Sequence, residues 1–188
     1  MRCLKKGKAA GPSGITTEMI QACEEECSAV LRQIAQDMLE GSQMPDSWRK
    51  STLVPIFKGK GSPLDCSNYR GVKLLEHGMK IVEKIWEQRL RRIVDIDAMQ
   101  FGFMPGRGTT DAIFILRQLI EKYNEGAKEL YMIFVDLEKA FDRVPRSLIE
   151  WALRRKEVPE RLVAAVMAMY NQVETSTNGR RNIRQFYG

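Results

Sequence analysis

Apolar residues recur at intervals of three and four positions in two long segments, the pattern of amphipathic helices. We expect the first helix to be capped by Thr16 or Thr17 and to end near Gly41. Its apolar positions are Ile20, Cys23, Cys27, Val30, Ile34 and Met38. The second helix has the apolar positions Met79, Val82, Ile85, Trp86, Leu90 and Ile93, with basic residues spread elsewhere. Each segment is predicted to be one helix with a single apolar stripe.

Three further helices are predicted in the second half of the chain. Thr109 or Thr110 can cap a helix with the apolar positions Ile113, Leu116, Leu119, Ile120 and Tyr123. Ser147 and Glu150 have the spacing of a capping box, which predicts a helix start there. Pro159 begins another helix, with the apolar positions Val163, Val166, Met167 and Tyr170.

A small antiparallel hairpin is predicted between the two long helices. Residues 53–57 look extended, and Pro55 limits them to the edge of a sheet because proline lacks a backbone donor. Residues 58–63 have the composition of a turn, and residues 70–74 can return as the partner strand. The polar stretch from residue 174 to the end has the pattern of the start of another hairpin.

An isolated apolar run ends on a carboxylate. Residues 131–135 are typical of a buried central strand, and Asp136 follows them directly. The segment before the preceding helix, Gln100–Gly108, has too many glycines for regular structure and is predicted to be a loop.

Composition and charge narrow the class of protein. The 188 residues are 44% apolar, enough for one domain or a piece of one. The net charge of +6 suits a polyanionic partner. No apolar run reaches the roughly 20 residues of a membrane helix, so we expect an intracellular, soluble protein without a membrane partner. Four scattered cysteines and a single histidine do not have zinc-site spacing.

Asp136 is a candidate metal ligand. A hard cation such as Mg²⁺ prefers oxygen ligands, and a carboxylate at the end of a buried strand is held in a fixed direction. In nucleotidyl transfer two such ions align the attacking hydroxyl and stabilise the leaving group, which requires more than one carboxylate. Asp142 is nearby, but we expect it to face away. The alternative for Asp136 is an ordinary aspartate that ends a strand or caps a helix.

Several blocks together carry a family resemblance. FVDLEKAFDRVP is preceded, in order, by KAAGPSGI, LVPIFKGKGSPLDC, SNYRGVKLLEHGMKIVEKI and QFGFMPGRGTTDAI. These blocks resemble the reverse transcriptases of non-LTR (LINE-type) retrotransposons, from about Gly7 to about Tyr170. Several ordered blocks are far more specific than one motif.

The resemblance implies roles for individual residues. Asp136 corresponds to the metal-binding aspartate, with the backbone carbonyl of Leu137 as a further ligand. Phe141 corresponds to a steric gate that rejects a ribose 2′-hydroxyl, and the alternative for it is a buried apolar side chain. Lys58 and Arg70 correspond to cations that grip the nucleotide triphosphate, although each also suits a solvated surface position.

The glycine-rich loop corresponds to the family's template-supporting loop. The matching residues are Gln100, Gly102, Phe103, Gly106 and Arg107. They would use close backbone approach, an aromatic face and phosphate contacts. An ordinary glycine-rich connection between helices explains the same composition. The basic residues between Lys80 and Arg92 either line the template groove or form a solvated helix face.

The resemblance implies an α+β part of the right-hand polymerase fold. We expect mostly helical fingers with a small antiparallel sheet over residues 1–128. The start of an incomplete palm would follow over residues 129–188, truncated before the paired-aspartate hairpin of the family. No adjacent Asp-Asp pair occurs in the chain.

The implied function is RNA-directed DNA synthesis on an RNA template, with a DNA primer and deoxynucleoside triphosphates. Mg²⁺ or Mn²⁺ is expected only with a complete palm, and the chain is expected to be inactive alone. The alternatives are a nucleic-acid-binding fragment without catalysis, a decayed retroelement remnant, and an RNA-dependent RNA polymerase, against which Phe141 argues.

Overall fold

A computed structural model describes residues 5–138, 140–177 and 181–184. The helices are α1 (Thr17–Ala22), α2 (Glu24–Leu39), α3 (His77–Ile93), α4 (Thr109–Glu125), α5 (Ala140–Arg143), α6 (Arg146–Arg155) and α7 (Glu160–Ala168). The strands are β1 (Lys50–Phe57), β2 (Tyr69–Leu74), β3 (Glu174–Thr177) and β4 (Arg181–Arg184). The predicted α+β class is confirmed.

The predicted first helix is two helices, which corrects the single-helix prediction. The backbone of Cys23 leaves the helical region at φ −115° and ψ 49° and separates α1 from α2. Glu24, Glu25 and Glu26 occupy the first turn of α2, where negative charge stabilises the positive end of a helix dipole. The predicted cap is present, because the Thr16 hydroxyl accepts a hydrogen bond from the Met19 N–H at 3.3 Å.

The sheet has the strand order β2-β1-β3-β4 and is mixed, not purely antiparallel. The β1–β2 hairpin and the β3–β4 hairpin are antiparallel, whereas β1 and β3 are parallel. Strand β1 therefore lies inside the sheet, which corrects its predicted edge position. Pro55 is accommodated because β3 pairs with β1 only from Lys50 to Leu53.

The chain divides into two compact units, residues 1–94 with 145–188 and residues 95–144. In the first unit, α2, α3 and α7 contribute most of the buried core. Its members include Leu31, Met38, Met79, Val82, Trp86, Leu162 and Val163. The predicted stripes of the two long helices are only partly buried, since Val30 and Ile93 are exposed.

The second unit contains the largest disagreement with the sequence prediction. Residues 131–135 do not form a strand, and their side chains are exposed, Ile133 at 90% and Phe134 at 77%. A strand needs partners for its backbone groups, and none of the described strands pairs with this segment. Helix α4 has no buried residue either, so its apolar stripe also lacks a covering surface within its own unit.

Two predicted helix caps are wrong, although both helices are present. Helix α4 is preceded by Gly108, whose N–H donates to the Asp111 carboxylate at 2.7 Å, so neither Thr109 nor Thr110 caps it. Pro145 precedes α6, and no side chain caps that helix. Pro159 precedes α7, as predicted. None of the helices in the described ranges combines the length and apolar character that crossing a membrane requires.

The two compact units do not follow the predicted boundary at residue 128, which falls inside the second unit. The division into fingers and palm therefore stays a prediction.

Candidate active site

The β1–β2 hairpin presents Lys58 and Arg70 on one face. Arg70 pairs with Ile56 in the register of the hairpin, and the Lys58 N–H donates to the Asn68 carbonyl at 2.8 Å, which continues that register by one pair. Because directly opposed and alternate residues point to the same side of a sheet, the two cations share a face. Both side chains are exposed. The hairpin therefore brings together the two predicted triphosphate-binding residues.

The loop that closes this hairpin is held by its own hydrogen bonds. The Asp65 carboxylate accepts from the Ser67 N–H at 2.9 Å and from the Ser67 hydroxyl at 2.7 Å. The hydrogen bonds from Ser67 lower the pKa of Asp65, and the nearby charge of Lys58 adds to that shift. The Lys58 ammonium donates to the Ser67 carbonyl at 2.8 Å. This hydrogen bond from Lys58 therefore stabilises the loop, and the Lys58 side chain remains exposed to solvent.

The glycine-rich loop is predicted correctly as irregular structure, and Arg107 organises it. The guanidinium donates to the Ala98 carbonyl and, at 3.3 Å, to the Gln100 carbonyl. It also lies 5.7 Å from the centre of the Phe101 ring. The Gln100 side-chain amide donates to the Gly102 carbonyl at 3.0 Å. Arg107 and Gln100 thus bind backbone carbonyls of their own loop, and their contact with a template stays a prediction.

Gly106 and Phe103 have left-handed backbone conformations in the same loop. Gly106 has φ +72°, which glycine adopts without steric cost. Phe103 has φ +59°, which is uncommon for a side chain of this size. The Phe103 ring meets the Phe141 ring edge to face, with the ring centres 5.8 Å apart and the planes at 89°. The contact joins the predicted template loop to the predicted sugar gate.

Asp136 and Leu137 are exposed at the end of the irregular segment 131–138. Nearby, the Glu138 carboxylate forms an ion pair with Arg143 at 3.2 Å. No group of three or more histidine, cysteine, aspartate or glutamate side chains is close enough to hold a metal ion in the described part of the chain. Divalent cations in proteins need several oxygen ligands. The described residues therefore do not by themselves form a metal site.

Phe141 is 82% exposed, so the alternative of a buried apolar side chain is wrong for this structure. It lies on α5, in the same unit as Asp136 and the glycine-rich loop. The side chain of Asp142 lies outside the described side chains. Lys58 and Arg70 belong to the other unit.

Two organising residues carry no signal in the sequence. The carboxylate of Glu76, 4% exposed, accepts from the Ser13 N–H at 2.8 Å and from the Ser13 hydroxyl at 2.5 Å. Arg49 is buried and donates to the Asn171 carbonyl at 2.8 Å. Both contacts join positions far apart in the chain, and short-range spacing does not report such pairs.

The chain is similar to known proteins over most of its length. Residues 56–187 match the family model described as reverse transcriptase (RNA-dependent DNA polymerase). More than half of the chain is matched, and this chain belongs to that family. Within the family, its similarity is to proteins of non-LTR retrotransposons, and the structure is an α+β part of that polymerase fold.

Three relatives illustrate this similarity. The Pol polyprotein of the type-1 retrotransposable element R2 of Nasonia vitripennis is 28% identical over 96% of this chain and 18% of its own length. The uncharacterized 149 kDa protein of transposon TX1 of Xenopus laevis is 27% identical over 93% of this chain and 13% of its own length. The RNA-directed DNA polymerase from mobile element jockey of Drosophila melanogaster is 27% identical over 73% of this chain and 15% of its own length. The chain spans less than a fifth of the length of each of them.

Proposed function

We propose that this chain is the part of an RNA-directed DNA polymerase that binds the incoming nucleotide and supplies the first acidic residue of the active centre. The observation that carries this proposal is the family match over residues 56–187, which includes Arg70, Asp136 and Phe141. Support also comes from the shared face of Lys58 and Arg70 and from the exposure of both cations. The partners would be an RNA template, a DNA primer and deoxynucleoside triphosphates.

Each proposed nucleotide contact follows from the chemistry of its side chain. The planar guanidinium of Arg70 can bind two phosphate oxygens at once, and the Lys58 ammonium can act as a point charge beside it. To reach a phosphate, Lys58 would exchange the Ser67 carbonyl for a stronger, charged acceptor. The Phe141 ring would occupy the volume that a ribose 2′-hydroxyl needs. These residues bind and select the nucleotide.

Reverse transcriptases as a family depend on divalent metal ions. Asp136, with the Leu137 carbonyl, would contribute ligands to Mg²⁺ or Mn²⁺ in a protein that has further carboxylates. Together they are too few ligands for such an ion, and the described residues supply no cluster that would complete the site. The chain alone is expected to extend no primer.

A second candidate is a nucleic-acid-binding function without catalysis. The net charge of +6 favours it, as does the absence, among the described residues, of a group of side chains that could hold a metal ion. It would appear as affinity for a primer–template duplex that falls steeply with salt, in a protein that extends no primer under any condition.

A chimera tests the proposal, with this chain replacing the matched segment of the R2 polyprotein of Nasonia vitripennis. We expect extension of a DNA primer on an RNA template with deoxynucleotides and little with ribonucleotides. Phe141→Ala should admit ribonucleotides, whereas Phe114→Ala, at an exposed position on α4, should not. A chimera without RNA-templated extension, whose parent protein extends the same primer, would contradict the proposed function.

A further inference from the structure

The backbone conformation of Phe103 is held by hydrogen bonds on both sides of it. The Asp97 carboxylate accepts from the Met99 N–H at 2.7 Å, and the Asp97 carbonyl accepts from the Gln100 N–H at 3.0 Å. On the other side, the Arg107 N–H donates to the Met104 carbonyl at 3.3 Å. The Arg107 guanidinium also donates to two carbonyls that precede Phe103. Hydrogen bonds therefore connect the loop segments on the two sides of Phe103.

Burial does not explain why the loop holds Phe103 in this conformation. A non-glycine residue at φ +59° is unfavourable and persists where the surroundings impose it, commonly at functional sites. The Phe103 side chain is 81% exposed, so little apolar surface is removed from water in return. What the conformation does provide is the contact with Phe141.

The contact gives Phe141 a defined neighbour on one side. Helix α5 has only four residues, and the Phe141 ring is 82% exposed. An exposed aromatic side chain moves rapidly between rotamers unless a neighbour restricts it. The edge-to-face arrangement, with ring centres 5.8 Å apart, is one of the two geometries that the charge distribution of aromatic rings favours.

We propose that Phe103 is a positioning residue that holds the Phe141 ring where it excludes ribonucleotides. This inference rests on the proposed function of Phe141. Exclusion of a single oxygen atom requires the excluding ring to stay within a fraction of an ångström of one place. Without Phe103, the ring can rotate away and leave volume for the 2′-hydroxyl.

The first measurement is sugar selectivity in the chimera, taken as the ratio of kcat/KM for a deoxynucleotide to kcat/KM for the matching ribonucleotide. Phe103→Leu removes the ring and should lower this ratio about three- to tenfold, the range expected for loss of one aromatic pair. The ratio should fall because ribonucleotide incorporation rises. Phe103→Tyr keeps an aromatic edge and should restore most of the selectivity. Phe114→Leu is the matched control and should leave the ratio unchanged.

The outcomes separate this inference from the proposed function. A loss of kcat/KM that is equal for both nucleotides, with the ratio unchanged, would mean that Phe103 serves only the template, and the inference would be overturned. If Phe141→Ala relaxes selectivity and Phe103→Leu does not, the inference fails while the proposed function stands. If Phe141→Ala leaves the selectivity ratio unchanged, the assignment of Phe141 as the sugar gate is wrong, and the inference about Phe103 is overturned with it.

The second measurement uses the 188-residue chain itself and needs no activity. With 4-fluorophenylalanine incorporated in place of Phe141, the ¹⁹F resonance reports the ring next to it. Phe103→Leu should shift that resonance, because the ring current of Phe103 is lost, whereas Phe114→Leu should not. A resonance that responds equally to the two substitutions would overturn the contact and, with it, the inference.

Discussion

Arg70 and Lys58 lie on the same face of one hairpin, but they are not equivalent. The Lys58 ammonium is bound to the Ser67 carbonyl and has the Asp65 carboxylate nearby, which offsets part of its charge toward an anion. Arg70 is exposed as the second residue of β2. We therefore expect Arg70 to contribute more to triphosphate binding than Lys58 does.

Arg70→Ala in the chimera tests this expectation. Hydrogen bonds to charged groups contribute roughly 1.5–3 kcal/mol, so KM for deoxynucleotides should rise about 10- to 100-fold. Because a guanidinium can bind two oxygens and an ammonium cannot, Arg70→Lys should restore only part of the affinity. Lys60→Ala, at an exposed lysine of the same loop, is the control and should leave KM unchanged. Equal effects of Arg70→Ala and Lys60→Ala would reject the assignment.

The elements predicted best are those defined by neighbouring residues in sequence. The β1–β2 hairpin and helices α3, α4 and α7 were predicted because local periodicity and turn residues report them directly. The parallel pairing of β1 with β3 was not predicted, since it joins segments more than a hundred residues apart. The break at Cys23 was also missed, because the apolar spacing continues through it.

The run 131–135 shows why local pattern does not decide a strand. Its composition is typical of a buried strand, yet a strand exists only where partners bind its backbone groups. The described strands all pair elsewhere. The sequence also does not predict the contact between Phe103 and Phe141 in the candidate site. The two residues are distant along the chain, and local spacing does not report contacts between distant positions.

The backbone at Gly11 packs closely against Glu76, the residue that precedes helix α3. A Cβ atom at Gly11 would lie 2.8 Å from the backbone nitrogen of Glu76, which cannot move without shifting the start of α3. Gly11→Ala should lower the free energy of unfolding by about 1–3 kcal/mol, as overpacking does. Urea denaturation followed by circular dichroism measures it.

Gly126→Ala provides the matched control for that measurement. A Cβ at Gly126 would meet its nearest atom, the Lys122 carbonyl oxygen, at 3.5 Å, an ordinary contact distance. The change in unfolding free energy should therefore stay within about 0.5 kcal/mol. If Gly11→Ala is tolerated as well as Gly126→Ala, the close packing of the Gly11 loop against Glu76 is wrong.

For the molecule as a whole, the two units differ in how much of their apolar surface is covered. The first unit buries a core formed by α2, α3 and α7, whereas in the second α4 and residues 131–135 leave apolar side chains exposed. The proposed acidic residue and the proposed sugar gate both belong to the second unit. We infer that the second unit works only in a protein that covers these apolar side chains and adds carboxylates to those of its described residues.

We propose that Asp136 is an essential acidic residue of a template-directed polymerase. The most direct test is the rate of RNA-templated primer extension by the chimera with Mg²⁺, compared between Asp136→Asn and Glu138→Gln. Glu138 is an exposed carboxylate two positions away, paired with Arg143. We predict that Asp136→Asn lowers the rate at least about a thousandfold, as expected for loss of a group that stabilises transition-state charge, and that Glu138→Gln leaves it nearly unchanged. Equal rates for the two variants would mean that Asp136 is not an essential residue of the active centre.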